Sequence, residues 1–144
     1  DCFERNDIHV GVSMDGPAFL HDAHRVTRTG RPTHAAVMRG IDWLQRRQIP
    51  FEVICVLTAD GLDHADAMVD FFLDHGITDV GFNMEETEGE NAQSSLDVAA
   101  ADRTALESRY VAFMERVWIR SQPSPTPWWW RGPHSPRCPG CTCR

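Results

Sequence analysis

Hydrophobic positions along the chain switch between a strand period and a helix period. Ile8-His-Val-Gly-Val-Ser13 is a short run with little charge, as expected of a parallel strand covered on both faces. From Thr33, read as an N-cap, Val37, Ile41 and Leu44 recur at helical spacing to about Arg47. Ile49-Pro50 breaks that helix, and Phe51-Glu-Val-Ile-Cys-Val-Leu-Thr58 is the best strand in the chain, with Pro50 placed where a strand start tolerates it. Ala65, Met68, Val69 and Phe72 form a second apolar helix face, which His75-Gly76 ends with glycine in its usual C-terminal place. Ile77 to Met84 reads as a third strand, closed by Glu85, Glu86 and Glu88. Leu106, Tyr110, Phe113 and Val117, at i, i+4, i+7 and i+11, make a third helical stripe. The pattern thus predicts strands near 8–13, 51–58 and 77–84, helices near 33–47, 64–75 and 102–119, and a polar loop from the first strand to Thr33. This β-α-β-α-β-α order, with helices long enough for right-handed crossovers between parallel strands, predicts an α/β fold of three consecutive β/α units, either half of a barrel or a small piece of an open sheet.

The composition changes at Ser121. Six of the nine prolines, three of the five tryptophans and three of the five cysteines fall in 121–144, so this stretch is divided from a domain spanning 1–120. Repeated prolines in Pro123-Ser-Pro-Thr-Pro-Trp-Trp-Trp130 deny it helix or ladder hydrogen bonds. The tail is expected to be disordered, or translated out of frame.

A formal charge of −7 excludes a broad nucleic-acid surface, although Arg25, Arg28 and Arg31 cluster locally. No apolar run approaches the roughly 18–20 residues that span a bilayer, and Asp1 to Asp7 has neither the basic nor the apolar region of a signal peptide. The expectation is a cytoplasmic, soluble, truncated chain with no nucleic-acid or membrane partner. Five cysteines, an odd number, do not make a secreted disulfide framework. Cys55, mid-strand among apolar residues, reads as core, and Trp43 as packing against a neighbouring element. Cys138, Cys141 and Cys143 have Cys-x-x-Cys-x-Cys spacing with His134 as a fourth possible metal ligand, but read more readily as incidental cysteines of the tail.

Candidate chemistry gathers at the end of the first strand. Ser13 and Asp15 alternate, so both point to one side of the strand end, where parallel α/β proteins hold ligands. Arg25 supplies a planar fork able to hold a carboxylate with two charge-assisted bonds. Together they suit a zwitterionic small molecule. Spacing alone favours the plainer reading that Asp15 caps the turn at Gly16-Pro17 and Arg25 pairs with Asp22 or Asp15, with nothing bound. Thr58, Asn83, Glu85 and Glu86, at the ends of the next strands, would face the same cavity. Asn83 and Glu85 point to one side and Glu86 to the other. Glu85, as the inward carboxylate, could bind an amine or take a proton.

Val10-Gly-Val-Ser-Met-Asp-Gly-Pro17, then His21-Asp-x-x-Arg25, Thr29-Gly-Arg31 and Val37-Met-Arg-Gly-Ile41, is similar to the anaerobic sulfatase-maturase-like radical S-adenosylmethionine (SAM)/SPASM peptide maturases. Phe51 to Thr58 and Val80-Gly-Phe-Asn-Met-Glu-Glu-Thr-Glu-Gly89 continue the resemblance, the latter looking most like the cyclophane-forming subgroup that crosslinks peptide side chains. The resemblance covers about 1–120. It implies a partial barrel of radical SAM type that uses S-adenosylmethionine and a [4Fe–4S] cluster, a ribosomally made peptide or protein substrate and an electron donor. Ser13 and Arg25 would contact the methionyl part of SAM, with Asp15 carried along in the motif. The family's Cys-x-x-x-Cys-x-x-Cys cluster loop has no counterpart in this chain. The chain by itself is therefore expected to be inactive. Two rival readings are a non-catalytic, degraded α/β fragment and a metal-dependent barrel enzyme using Asp15 and Glu85.

Overall fold

Three short strands, Val10–Ser13 (β1), Phe51–Leu57 (β2) and Val80–Met84 (β3), pair in parallel in the order β1-β2-β3. They belong to a computed structural model that describes residues 6, 8–86, 94–96 and 102–122. The segments 1–5 and 123–144, including the tail and its three cysteines, lie outside the described residues. The strands alternate with helices, as the hydrophobic pattern requires: Ala18–His24 (α1), His34–Arg46 (α2), Ala65–Asp74 (α3), entered through a 3₁₀ turn at Gly61–His64, and Arg103–Ser121 (α4). Among the described residues, no helix is long and apolar enough to cross a membrane.

Register explains which side of the sheet is covered. Val12, Val53 and Val80 lie in one row, and Ser13, Ile54 and Gly81 in the next. Along β2, Val53, Cys55 and Leu57 are fully buried while Glu52, Ile54 and Val56 are only partly covered or exposed. The buried parity packs with Ile41, Met68, Phe72, Ile77 and Phe113 into one core. The other parity forms an open inner face. The hydrophobic pattern predicts β1 covered on both faces, but its residues alternate half-buried and exposed. It is an edge strand, and among the described residues the helices cover only one side of the sheet. Ile8 and His9 also lie outside the ladder, which starts at Val10.

The loop expected between β1 and α2 contains α1, a helix too short to show a period. Gly16, at φ +93°, turns the chain out of β1 close against Met68, and Pro17 then supplies the helix entry. A Cβ at Gly16 would lie 3.2 Å from Met68 Cγ. Gly16→Ala therefore combines an unfavourable φ with a tight core contact, and is expected to cost about 1–2 kcal/mol in urea unfolding. A variant as stable as the parent would show that the turn relaxes freely.

Two further residues of α2 have local settings of their own. Thr33 is the N-cap residue of α2, yet its hydroxyl makes no cap bond. Asp22 Oδ1 performs that task from α1, accepting the N–H groups of Thr33 at 2.9 Å and His34 at 2.8 Å. Trp43 is 45% exposed, with the guanidinium of Arg47, at the end of the same helix, 4.6 Å above its ring. Ile41 and Leu44 hold the inward positions of that turn.

The last helix is fastened along one side by charge. Arg109 bonds to Asp63 and to the Ala59 carbonyl, Arg116 to Asp66, and Arg120 to Asp70. The Arg116 hydrogen bond holds the Asp66 carboxyl below its ordinary range. These pairs are exposed and set the orientation of α4 on α3. Burial of Phe113, edge-on to Phe82 at 5.4 Å, supplies the apolar attachment.

Candidate functional site

The site begins where β1 runs out. Met14 N–H still donates to the Ile54 carbonyl at 3.1 Å, and Asp15 then adds a side-chain rung: its Oδ1 accepts the Val56 N–H at 2.9 Å. Arg25, just past α1, closes on the same carboxylate in bidentate fashion, Nε to Oδ2 at 2.5 Å and Nη2 to Oδ1 at 3.1 Å. The Asp15 side chain is 9% exposed and the Arg25 side chain 31%. One end of the pair is thus anchored in the sheet while the other reaches solvent. Nη1 of Arg25 has no hydrogen-bond partner among the described residues. The spacing-based alternative that paired Arg25 with Asp15 describes this contact; Asp22 is instead engaged at the start of α2.

Arg25 and Asp15 form one wall of an open cavity of about 1160 Å³ across the C-terminal ends of the strands. Val56 on β2 and Thr58 just past it line the cavity, with Phe82 to Met84 on β3, Glu85 and Glu86 beyond its end, His24 from α1 and Tyr110 from α4. The structure therefore brings Asp15, Arg25, Thr58, Asn83, Glu85 and Glu86 together. Ser13 shares the inner-face parity, in register with Ile54, but is exposed one step back along the strand and does not line this cavity.

Each of these groups has a distinct setting. Thr58 is 8% exposed, and its hydroxyl accepts the Gly61 N–H at 3.2 Å, so it shapes the 3₁₀ turn. Asn83 and Glu86 are not buried. Glu85 gathers the 94–96 segment: its Oε2 accepts the Ser95 N–H at 2.7 Å and the Ser95 hydroxyl at 2.6 Å, with Ser94 Oγ at 3.2 Å. Burial pushes the Glu85 carboxyl up, but the bonds from Ser95 and Ser94, with the nearby His24, outweigh it and hold the group below the ordinary glutamate value. At neutral pH Glu85 is a carboxylate that accepts hydrogen bonds, suited to a cationic ligand group rather than to giving up a proton.

His21, quoted in the motif but assigned no role from sequence, proves central. It is fully buried, accepts the Asp15 N–H on Nδ1 at 3.2 Å, and meets Thr33 Oγ1 with Nε2 at 3.1 Å. Its signal was hidden because 14–32 read as loop, and no face of a helix was available to bury it. Burial holds its imidazole below the ordinary histidine value.

The donor set fits one cofactor and not another. The partly exposed Arg25 fork beside an open polar cavity suits the carboxylate of an amino-acid-like ligand. For an iron–sulfur cluster the described residues offer no ligand set: Cys55 is buried in the core, where burial and the Asp15 charge push its thiol up to about 12. Among the described residues no three His, Cys, Asp or Glu side chains gather as a metal site, so the Asp15 and Glu85 pair is not joined by further ligands. Cys138, Cys141 and Cys143 lie outside the described residues.

No protein-family model matches the chain. It is 54% identical over 118 residues to the uncharacterized protein sll1766 of Synechocystis sp., covering 82% of this chain and 28% of that protein. It is 28% identical over 116 residues to the serine-type anaerobic sulfatase-maturating enzyme of Klebsiella aerogenes, covering 81% of this chain and 27% of the enzyme. Among solved structures, histidine-tagged anSMEcpe with bound AdoMet superposes with a TM-score of 0.65 at 22% identity, over 82% of this chain and 30% of that one. Native anSMEcpe with bound AdoMet and the Kp18Cys peptide gives a TM-score of 0.61 at 22% identity, over 82% of this chain and 33% of that one. The chain spans no more than about a third of the length of these proteins, and its three β/α units match part of their fold. Over about four-fifths of its length, then, the chain is similar in sequence to anaerobic sulfatase-maturating enzymes, and its three β/α units share part of the fold of one with bound AdoMet.

Proposed function

We propose that this chain forms one wall of the S-adenosylmethionine pocket of a radical SAM enzyme that modifies a peptide side chain. The observation that carries the proposal is the Asp15–Arg25 pair, anchored in the sheet and open to the cavity at the strand ends. Arg25 would hold the carboxylate of the methionyl group through its remaining guanidinium edge, while Asp15 fixes the direction of the fork. Ser13, on the same inner face, would add a hydroxyl contact further along the ligand. Reductive cleavage of S-adenosylmethionine at a [4Fe–4S] cluster, with an electron donor, supplies hydrogen abstraction in this reaction class. The described residues do not hold that cluster. Glu85, Asn83, Glu86 and Thr58 would border the peptide side of the cavity, Glu85 as an acceptor for a peptide amine. The sequence from Val80 to Gly89 supports placing the parent enzyme near the cyclophane-forming maturases, with a ribosomally made peptide as substrate.

Isothermal titration of the full chain with S-adenosylmethionine tests the pocket. Arg25→Ala is expected to weaken binding roughly tenfold to a hundredfold, the loss of a charge-assisted fork. Arg25→Lys should lie between, because a point charge replaces a planar pair of donors. Arg28→Ala, on the exposed loop beyond, should bind as the parent does. Equal affinity in folded Arg25→Ala, or no binding by the parent chain, overturns the proposal.

A further inference from the structure

Two links, not one, tie Asp15 to Arg25. The first is the ion pair. The second runs through His21 and Thr33, and the direction of every hydrogen bond in it is forced by its ends. Thr33 Oγ1 lies 2.6 Å from the Arg25 carbonyl, which can only accept, so the single hydroxyl proton is spent there. At its 3.1 Å contact with His21, Thr33 must therefore accept, which puts a proton on His21 Nε2. At the other end the Asp15 N–H can only donate, 3.2 Å from Nδ1, which must be bare. Both ends demand the same neutral tautomer. The Arg25 N–H also donates to the His21 carbonyl at 2.8 Å, so backbone and side chain of His21 grip the two sides of the turn.

We infer that His21 and Thr33 form a fixed relay that positions Arg25 for its anionic ligand, His21 acting as the Nε2–H imidazole. The inference rests on the proposed pocket for what Arg25 binds, but not for the relay itself. His21 and Thr33 do not line the cavity, so both are positioning residues. The ion pair alone leaves the Arg25 backbone free to shift beneath a moving side chain. The relay fixes that backbone, so the fork presents one edge to Asp15 and the other to the ligand. Protonation of Nδ1 would remove the acceptor for Asp15 N–H. Burial opposes it, Asp15 and Asp22 favour it, and Arg25 and His34 oppose it; the net shift is downward, so the native relay opens only at pH values below the ordinary 6.5.

The test compares Thr33→Val, which removes the hydroxyl at nearly constant shape, with Thr33→Ser, which keeps it. Nitrogen NMR of His21 in the parent chain at pH 7.5 should show Nε2 protonated and Nδ1 bare; the opposite tautomer, or a doubly protonated ring, overturns the relay. Thr33→Val should exchange the Arg25 Nε–H about fivefold faster and bind S-adenosylmethionine about fivefold more weakly, the effect of one hydrogen bond, while Thr33→Ser restores both. Unchanged exchange in Thr33→Val overturns the inference. If the parent binds and Thr33→Val binds equally well, the positioning role falls while the pocket stands. If the parent does not bind, the pocket falls, and tautomer and exchange still decide the relay. Should Thr33→Val fail to fold, His21→Asn carries the same readouts, since it keeps the acceptor for Asp15 and drops the donor to Thr33.

Discussion

Asp15→Ala is expected to lower unfolding stability by about 3 kcal/mol, the lower end of what breaking a buried ion pair costs. Three bonds disappear together: two from Arg25, one from the Val56 N–H. The lower end applies because the Arg25 side chain is 31% exposed and water can take over part of its shell. Arg25→Ala should cost a similar amount for the opposite reason, since it strands a carboxylate only 9% exposed. Asp15→Asn keeps an oxygen for Val56 but gives up the charge, and should cost roughly half as much. The double alanine variant should then fall short of the sum of the singles by about 1–3 kcal/mol, the signature of directly coupled groups. Urea unfolding followed by near-ultraviolet circular dichroism measures all four. An Asp15→Ala chain within about 0.5 kcal/mol of the parent, the range of an ordinary surface change, would show that the pair does not organise the strand end.

How far the sequence foretold this follows from which forces are local. Strand β2 was plain because its branched residues and its bounding proline act within a few residues, and α4 because four apolar residues keep one stripe over three turns. Coverage of β1 could not be read the same way: an apolar strand shows what it is able to bury, not how many layers lie beside it. Helix α1 has seven residues, fewer than a period needs, and is held by burial of Leu20 and His21 rather than by propensity. Trp43, two residues after Ile41 and one before Leu44, is turned away from the inward face those two share, and its ring is 45% exposed.

The site divides along the same line. Asp15 and Arg25 stood out by residue type at a strand end, and their meeting needed only the short turn through Gly16 and α1. Thr33 occupies the N-cap position of α2 that the sequence suggests. The Arg25 carbonyl, brought beside it by a fold-back of eight residues, claims its hydroxyl, so Asp22 supplies the side-chain bonds at the helix start. Polarity in a hydrogen-bonded chain is set by whichever backbone groups terminate it, and these are tertiary facts.

Phe113→Ala should be the most damaging single truncation outside the site, at about 3–5 kcal/mol and a fall in Tm of roughly 10–20 °C. The ring is 1% exposed and meets Phe82 edge-on, so its removal opens a cavity between α4 and the sheet that neither the strand nor the helix can close without moving the other. The arginines at 109, 116 and 120 cannot compensate, because they lie on the exposed flank and fix only the direction of the helix. Phe113→Leu preserves most of the volume and should cost less than about 1.5 kcal/mol. Phe19→Ala supplies the contrast: the same residue type, 57% exposed on α1, should change stability by no more than about 0.5 kcal/mol. Thermal melts of the three variants would separate the cases. If Phe19→Ala matched Phe113→Ala, or if Phe113→Ala melted with the parent, α4 would not be seated on the sheet through this ring, and the Tyr110 side of the cavity, carried one turn away on the same helix, would lose its fixed position.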